Sequence, residues 1–316
     1  MTRPIHEPVG TGVFAVDTWH ARERAVAGYL IVEDGLAALV DTGTHLSAPN
    51  FLRALRELGI DAERVAYILL THIHLDHAGG AGRLAAALPR ARVAVHPRGA
   101  AHLADPSKLI AATKAVYGAE AFAREFGDIV PIAAGRILAL EDGQRIPFAG
   151  RTLEFIHTPG HALHHLCIVD RERAEVFSGD TFGISYRECD TAAGEFIFPT
   201  TSPAQFDPDQ LHASVARIAA LEPRSVYVTH YGRVGYSAKL AADLHADIDV
   251  LVGIARELAT APDRTARMQA EIHRHWARRL AAHGFRGSAA ERHRLLDMDA
   301  ALNAAGLDAW LKRTAL

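Results

Sequence analysis

Residues 71–80 read THIHLDHAGG, so four side chains able to hold a metal ion, His72, His74, Asp76 and His77, fall within six positions. Alternate side chains of extended backbone share a side, which puts His72 and His74 together. Asp76 and His77 lie just beyond, where a turn can aim them at a neighbouring point. Imidazole nitrogen and carboxylate oxygen bind Zn²⁺ at about 2.0 to 2.2 Å, and three or four such ligands leave a position open for water. The spacing therefore suits two ions. Three more ligand types each stand at the end of an apparent strand: His161 in FIHTPGHALHH, Asp180 in FSGDTFG and His230 in VYVTHYG. Nearby Gly160, Gly179 and Gly232 allow the chain to turn sharply there. Since the chain has 19 histidines, abundance alone carries little weight; order and strand-end placement carry the reading.

Two ions about 3.5 to 4 Å apart can share a water whose pKa falls toward neutrality, a nucleophile that needs no Ser or Cys. Its target would be a carbonyl or phosphoryl centre. Asp76 or Asp180 could orient that water or relay its proton. Tyr231, next to His230, and Tyr186, in the loop after Asp180, are candidate donors to the oxyanion or leaving group.

The elements that must position these residues alternate in type. VFAVDT and the run GYLIVEDGLAALVDTG read as strands, with Asp34-Gly35 marking a tight hairpin. Ser47 and Pro49 open a helix with Leu52, Leu55 and Leu58 on one face, closed by Gly59. AYILLTH is a continuous apolar run, as in a buried strand. After RVAVHP, residues 97–134 are Ala-rich, with Tyr117, Phe122 and Phe126 at near-helical spacing, and predict a helical insertion. RILAL, TLEFIH, HLCIV, AEVFSG and SVYVTH return to strand character. The expected fold class is α/β, an αββα sandwich of two sheets covered by helices, with a C-terminal helical extension. From Ser237 the period becomes 3.6, with Leu240, Leu244, Ile248 and Leu251 on one stripe. Asp263 and Ser288 are expected caps of two further helices. The expected division is a sandwich domain over residues 1–258 and the extension over 259–316.

Composition narrows the function classes. At 316 residues and 49% hydrophobic, the chain can bury a large core. A net charge of -3 offers no global basic field for nucleic acid or an anionic membrane. Cys167 and Cys189 are too few for a disulfide framework, and MTRPIHEPVG lacks the apolar segment of a secretion signal. A cytoplasmic protein is expected, with no membrane span, since no run approaches 18 apolar residues. The expected partner is a small-molecule substrate, and the helical extension could serve a homodimer.

The sequence closely resembles the metallo-β-lactamase superfamily hydrolases. HIHLDH matches the family's H-x-H-x-D-H motif, TPGH its third element, GD its bridging aspartate and the TH of VTHYG its final histidine; VDTG at residues 40–43 matches a further element. The resemblance covers about residues 10–255. It implies that His72, His74 and His161 hold one metal, that Asp76, His77 and His230 hold the other, and that Asp180 bridges them. It also implies that Asp41 fixes a ligand imidazole by a hydrogen bond and that His165 supports the site from behind. Two divalent ions are expected, zinc by default for His-rich ligation, with iron and manganese also suited to these donors.

The insertion and the loop with Phe182, Tyr186, Phe196 and Phe198 flank the expected site, and apolar aromatics favour an acyl substrate of modest size. Hydrolysis of an ester, thioester or lactone follows, as in glyoxalase II-like and lactonase-like members. One alternative is a phosphodiesterase or nuclease of the same fold, using ARMQAEIHRHWARRL at residues 266–280 as a basic helix. Another is an iron-dependent sulfur or oxygen redox enzyme. Against that, His74 stands where diiron flavoproteins carry Glu, and FGISYRECD lacks the Arg- and Gly-containing signature of persulfide dioxygenases.

Overall fold

A computed structural model describes residues 4–201 and 205–314. Thirteen strands make two sheets. The first runs in chain order: β1 (His6–Gly10), β2 (Val13–Asp17), β3 (Ala27–Glu33), β4 (Leu36–Val40), β5 (Val65–Leu69), β6 (Arg92–Val95) and β7 (Ile137–Ala139). β1 to β4 form an antiparallel meander, and β4 to β7 are parallel. The hairpin between β3 and β4 turns at Asp34 and Gly35, with φ of 48° and 70°. Both residues are left-handed, the geometry that matches strand twist. Parallel pairing needs crossovers. α1 (Ala48–Glu57) links β4 to β5, and the short α2 (Leu75–Ala78) with α3 (Ala81–Ala87) links β5 to β6. Phe51 of α1 and Leu84 of α3 are buried in one core with Leu30, Leu39 and Ile68 of the sheet.

The second sheet contains β8 (Arg145–Phe148), β9 (Arg151–His157), β10 (Leu166–Asp170), β11 (Glu175–Gly179), β12 (Ser225–Val228) and β13 (Gly232–Gly235). β8 to β11 are antiparallel, and β11 pairs in parallel with β12. The sheets meet through aromatic side chains: the Tyr29 ring lies 5.5 Å from Phe177 and 5.4 Å from Tyr227, both edge-on.

The expected insertion is helical: α4 (Pro97–Ala104), α5 (Ser107–Tyr117) and α6 (Ala119–Glu125). Phe122 and Phe126 are buried against Leu75, the central apolar residue of the HIHLDH motif. The insertion thus seats on the motif itself.

His96 caps α4, its Nδ1 accepting from Arg98 N–H at 3.1 Å. Its ring lies 4.0 Å from that of His157. Burial, then His157 and Arg98, push its pKa down to about 4. Below the ordinary value of 6.5 the unfolded chain takes up a proton that the folded chain refuses. The His96 contribution is therefore complete above pH 6.5 and is lost as pH falls toward 4, a change on the order of 2 kcal/mol. His96→Asn keeps a capping acceptor without titrating. We expect its urea midpoint to vary less with pH than that of wild type between 6.5 and 4. Equal slopes would show that His96 carries none of the acid sensitivity.

The chain divides into two compact units. The first comprises Met1–His157, His164–Gly179 and Ser225–Arg233, and so contains nearly all of both sheets. The second comprises Thr158–Leu163, Asp180–Arg224 and Val234–Leu316. It contains α7 (Pro208–Ala219) and a C-terminal helical region of α8 (Ala238–Glu257), α9 (Arg264–Ala282) and α10 (Ala289–Thr314). Leu240, Leu244, Ile248 and Leu251 of α8 are buried, as their stripe predicts. Asp247, on the same helix, is buried and accepts from His275 at 2.7 Å, from Trp276 at 3.1 Å and from Arg279. No helix among the described residues is long and apolar enough to cross a membrane.

Candidate metal centre

The first unit brings five of the seven expected ligands together with both supporting residues. β5 stops at Leu69, and irregular backbone with a bend at Thr71 leads through His72 to His74, the residue that precedes α2. Thr71 O accepts from Leu166 N–H at 2.8 Å, which ties this stretch to β10 of the other sheet. Asp41 follows β4 with φ of 52°, a left-handed conformation that Asp tolerates better than most residues. Its carboxylate, 1% exposed, accepts from Thr71 N–H at 2.9 Å, from the Thr71 hydroxyl at 2.9 Å, from the Thr229 hydroxyl at 3.0 Å and from His77 Nδ1 at 2.8 Å. Thr42 holds the other end of His77, donating to its carbonyl from the backbone at 2.6 Å and from the hydroxyl at 2.8 Å.

These bonds fix tautomers. With Nδ1–H given to Asp41, His77 presents the lone pair of Nε2, which lies 3.5 Å from Asp76 Oδ2. His230 Nε2 is also 3.5 Å from that oxygen. One ligand atom from each of Asp76, His77 and His230 falls within 4.8 Å of the other two. The Thr71 hydroxyl, its proton directed at Asp41, can accept from His72 Nδ1 at 3.1 Å. His72 Nε2 then faces His74 Nδ1 at 2.8 Å. Asp41 thus sets two ligand imidazoles, one directly and one through a threonine. His165, fully buried, stacks on His72 with centroids 4.8 Å apart. Gly179 has φ of 50°, and a Cβ there would stand 2.6 Å from His165 Nε2 and 2.7 Å from Thr71 Oγ1. Only glycine fits between them.

The other two expected ligands lie in the second unit. His161 Nε2 is 3.2 Å from Asp180 Oδ2, while His161 Nδ1–H donates to the Thr200 carbonyl at 3.2 Å, which leaves the lone pair on Nε2, as in His77. Gly160, with φ of 127°, precedes His161 where a Cβ would meet Leu211 N at 2.2 Å.

The two tyrosines suggested as proton donors are otherwise engaged. The Tyr231 hydroxyl donates to Glu7 Oε1 at 3.1 Å, and burial followed by the Glu7 charge holds the phenol well above its usual range. Tyr186 donates to Asp299 at 3.0 Å. Phe182, Tyr186, Phe196 and Phe198 are all buried, with the Phe198 ring 4.4 Å from that of Trp276 on α9. The loop expected to line a substrate region instead packs the interior of the second unit.

Three residues carry more than the sequence reading assigned them. Asp76, His77 and His230 all lie within electrostatic reach of His20, whose pKa is lowered chiefly by burial, and its ring lies 5.6 Å from that of Phe126. No motif marks His20. Its loop is pinned by the Asp17 carboxylate, which accepts from Trp19 and Arg24 N–H at 3.0 and 2.9 Å. Tyr117, 43% exposed, packs edge-on against Phe126 at 5.3 Å, and partial desolvation together with the Asp76 charge raises the pKa of its phenol. His164 lies 5.4 Å from His74, ring to ring.

Comparison with known proteins agrees with this architecture. The sequence profile of the metallo-beta-lactamase superfamily matches residues 21–230. A hydroxyacylglutathione hydrolase from Pseudomonas paraeruginosa is 32% identical over 170 residues, 53% of this chain and 48% of that protein. The acyl-coenzyme A thioesterase MBLAC2 of Gallus gallus is 29% identical over 191 residues, 55% of this chain and 64% of that protein. The chain thus spans about half the length of the curated hydroxyacylglutathione hydrolases it matches. Among solved structures, a metallo-beta-lactamase family protein from Thermus thermophilus superposes with a TM-score of 0.64 at 22% identity, covering 96% of this chain and 94% of that one.

Proposed function

The chain belongs to the metallo-beta-lactamase superfamily, and on that premise we propose that it is a metal-dependent hydrolase of acyl thioesters, with esters and lactones as weaker substrates. The reading rests on the convergence of Asp76, His77 and His230, with the His77 tautomer set by Asp41. Two neutral imidazoles and a carboxylate are a donor set suited to zinc, and also to iron or manganese. In this proposal His72, His74 and His161 would hold one ion and Asp76, His77 and His230 the second, with Asp180 as a further ligand, following the order of the family motif. Bound there, the ions supply an acidified water and a Lewis acid for the acyl oxygen.

The protein's own groups do the rest. Asp76, partly exposed at the mouth, orients the attacking water and takes its proton. Asp41 keeps the imidazole protons turned away, so the lone pairs stay on the ligand side. His20 and Tyr117, both within reach of the Asp76 charge, are the groups this reading assigns to the leaving group. The insertion supplies the acyl contacts through Tyr117 and the buried Phe122 and Phe126. Beside it lies a cavity of about 400 Å³ whose lining includes His45, Arg83, Lys114 and Phe122. Arg83 and Lys114, set against the single carboxylate of Asp128 in the same lining, suit an anionic thiol carrier and favour thioesters over neutral lactones. The relatives' activities, hydroxyacylglutathione hydrolysis and acyl-coenzyme A thioester cleavage, point the same way.

The test is a hydrolysis panel on metal-replete protein: an S-acyl glutathione, an acyl-coenzyme A, a lactone, an aryl ester, a β-lactam and a phosphodiester. The thioesters are expected to give the highest kcat/KM, at least about tenfold above the phosphodiester. Preferential phosphodiester cleavage, or oxygen uptake with a persulfide in place of hydrolysis, would overturn the reading.

A further inference from the structure

In the helical hairpin of α9 and α10, three metal-binding side chains meet. His273 comes from α9, while His293 and Asp297 come from α10 four residues apart, and so share one face. One ligand atom from each lies within 4.8 Å of the other two. The imidazoles face each other with centroids 5.3 Å apart, and His293 Nδ1 is 3.6 Å from Asp297 Oδ1. Gln269, four residues before His273, donates its side-chain N–H to Asp297 Oδ1 at 3.2 Å. That bond steadies the carboxylate from behind, as partners of metal ligands commonly do. His273 Nε2 is buried and has no hydrogen-bond partner among the described residues. A buried ring nitrogen left this way is uncommon and requires an explanation.

We propose that His273, His293 and Asp297 form a separate binding place for a transition-metal ion of the zinc class, which clips α9 to α10. Two imidazoles and one carboxylate select Zn²⁺, Ni²⁺ or Cu²⁺ over Ca²⁺ and Mg²⁺, which prefer all-oxygen shells. Tetrahedral zinc places its ligand atoms about 3.3 Å apart, so the three must close in slightly. His293 and Asp297 have room to do so, with side chains 64% and 39% exposed. Water would fill the fourth position. No residue of this cluster belongs to the proposed hydrolytic centre, so the clip concerns the hairpin and not the reaction.

The proposal is tested by equilibrium dialysis against Zn²⁺, with metal analysis of wild type, His293→Ala and His72→Ala. His293 is exposed, so its replacement leaves the core intact. Wild type is expected to hold one zinc per chain more than His293→Ala, and that variant should hydrolyse substrate at the wild-type rate. His72→Ala should lose metal from the hydrolytic centre yet keep the hairpin zinc. If His293→Ala retains as much zinc as wild type at every free concentration, the hairpin site does not exist. If His72→Ala alone retains the wild-type complement, the hydrolytic assignment fails while the hairpin site stands.

Discussion

His72→Ala is expected to lower turnover by roughly 10³-fold or more and to strip metal from the proposed hydrolytic centre, with the fold retained. Its Nε2 faces His74 at 2.8 Å and its Nδ1 is tied to Thr71, so alanine removes one ligand and frees another to rotate. Asp180→Ala should behave the same way, because its carboxylate stands 3.2 Å from His161 Nε2. Metal content by plasma emission, turnover on the best thioester and circular dichroism are measured together. Full metal content with full activity in either variant would mean that the proposed constellation is wrong. Loss of the circular dichroism signal would instead assign the residue to folding.

The second large effect is expected from Asp41→Asn, a substitution of equal size that touches no substrate. The carboxylate receives four hydrogen bonds, from Thr71 N–H, two threonine hydroxyls and His77 Nδ1. An amide offers one acceptor oxygen and one NH₂, so one donor would face another donor. The relief open to His77 is to shift its proton to Nε2, the nitrogen that faces Asp76. Metal affinity should fall about 10- to 100-fold, as for other partners of ligand histidines. The distinguishing readout is rescue: excess zinc should restore most of kcat, since the ligands remain. A kcat that stays low at saturating zinc, or an unchanged affinity, would remove Asp41 from this role.

The clustering of His72, His74, Asp76 and His77 was legible because ligation demands particular side chains at short, fixed offsets, and HIHLDH is written in consecutive residues. The Asp34-Gly35 hairpin was legible for a similar reason, since few residues accept left-handed φ. Ser288 caps its helix as read, exchanging bonds with Glu291 at 2.7 and 3.2 Å, and Ser237, where the period changes, caps α8 through Leu240 N–H. Asp263 occupies the position before α9, but with φ of 51° its side chain makes no capping bond. What stayed hidden depends on distant partners. Phe198 looks like a substrate contact until Trp276, far along the chain, covers it. Tyr231 looks like a proton donor until Glu7, from the first strand, receives its hydroxyl. His20 reaches the metal group from a loop whose shape is set by Asp17, and no local pattern announces it.

The seating of Phe122 and Phe126 on Leu75 bears on how this protein can diversify. Leu75 lies between His74 and Asp76, so the patch that braces the insertion is flanked on both sides by proposed ligands. Grafting a relative's insertion to alter substrate range would leave that leucine facing an unfamiliar surface, and any slack would pass to its neighbours. New specificity would then come with weakened ion retention unless Leu75 changed in step. On the proposed assignment, substrate range and ion retention depend on the same side chain.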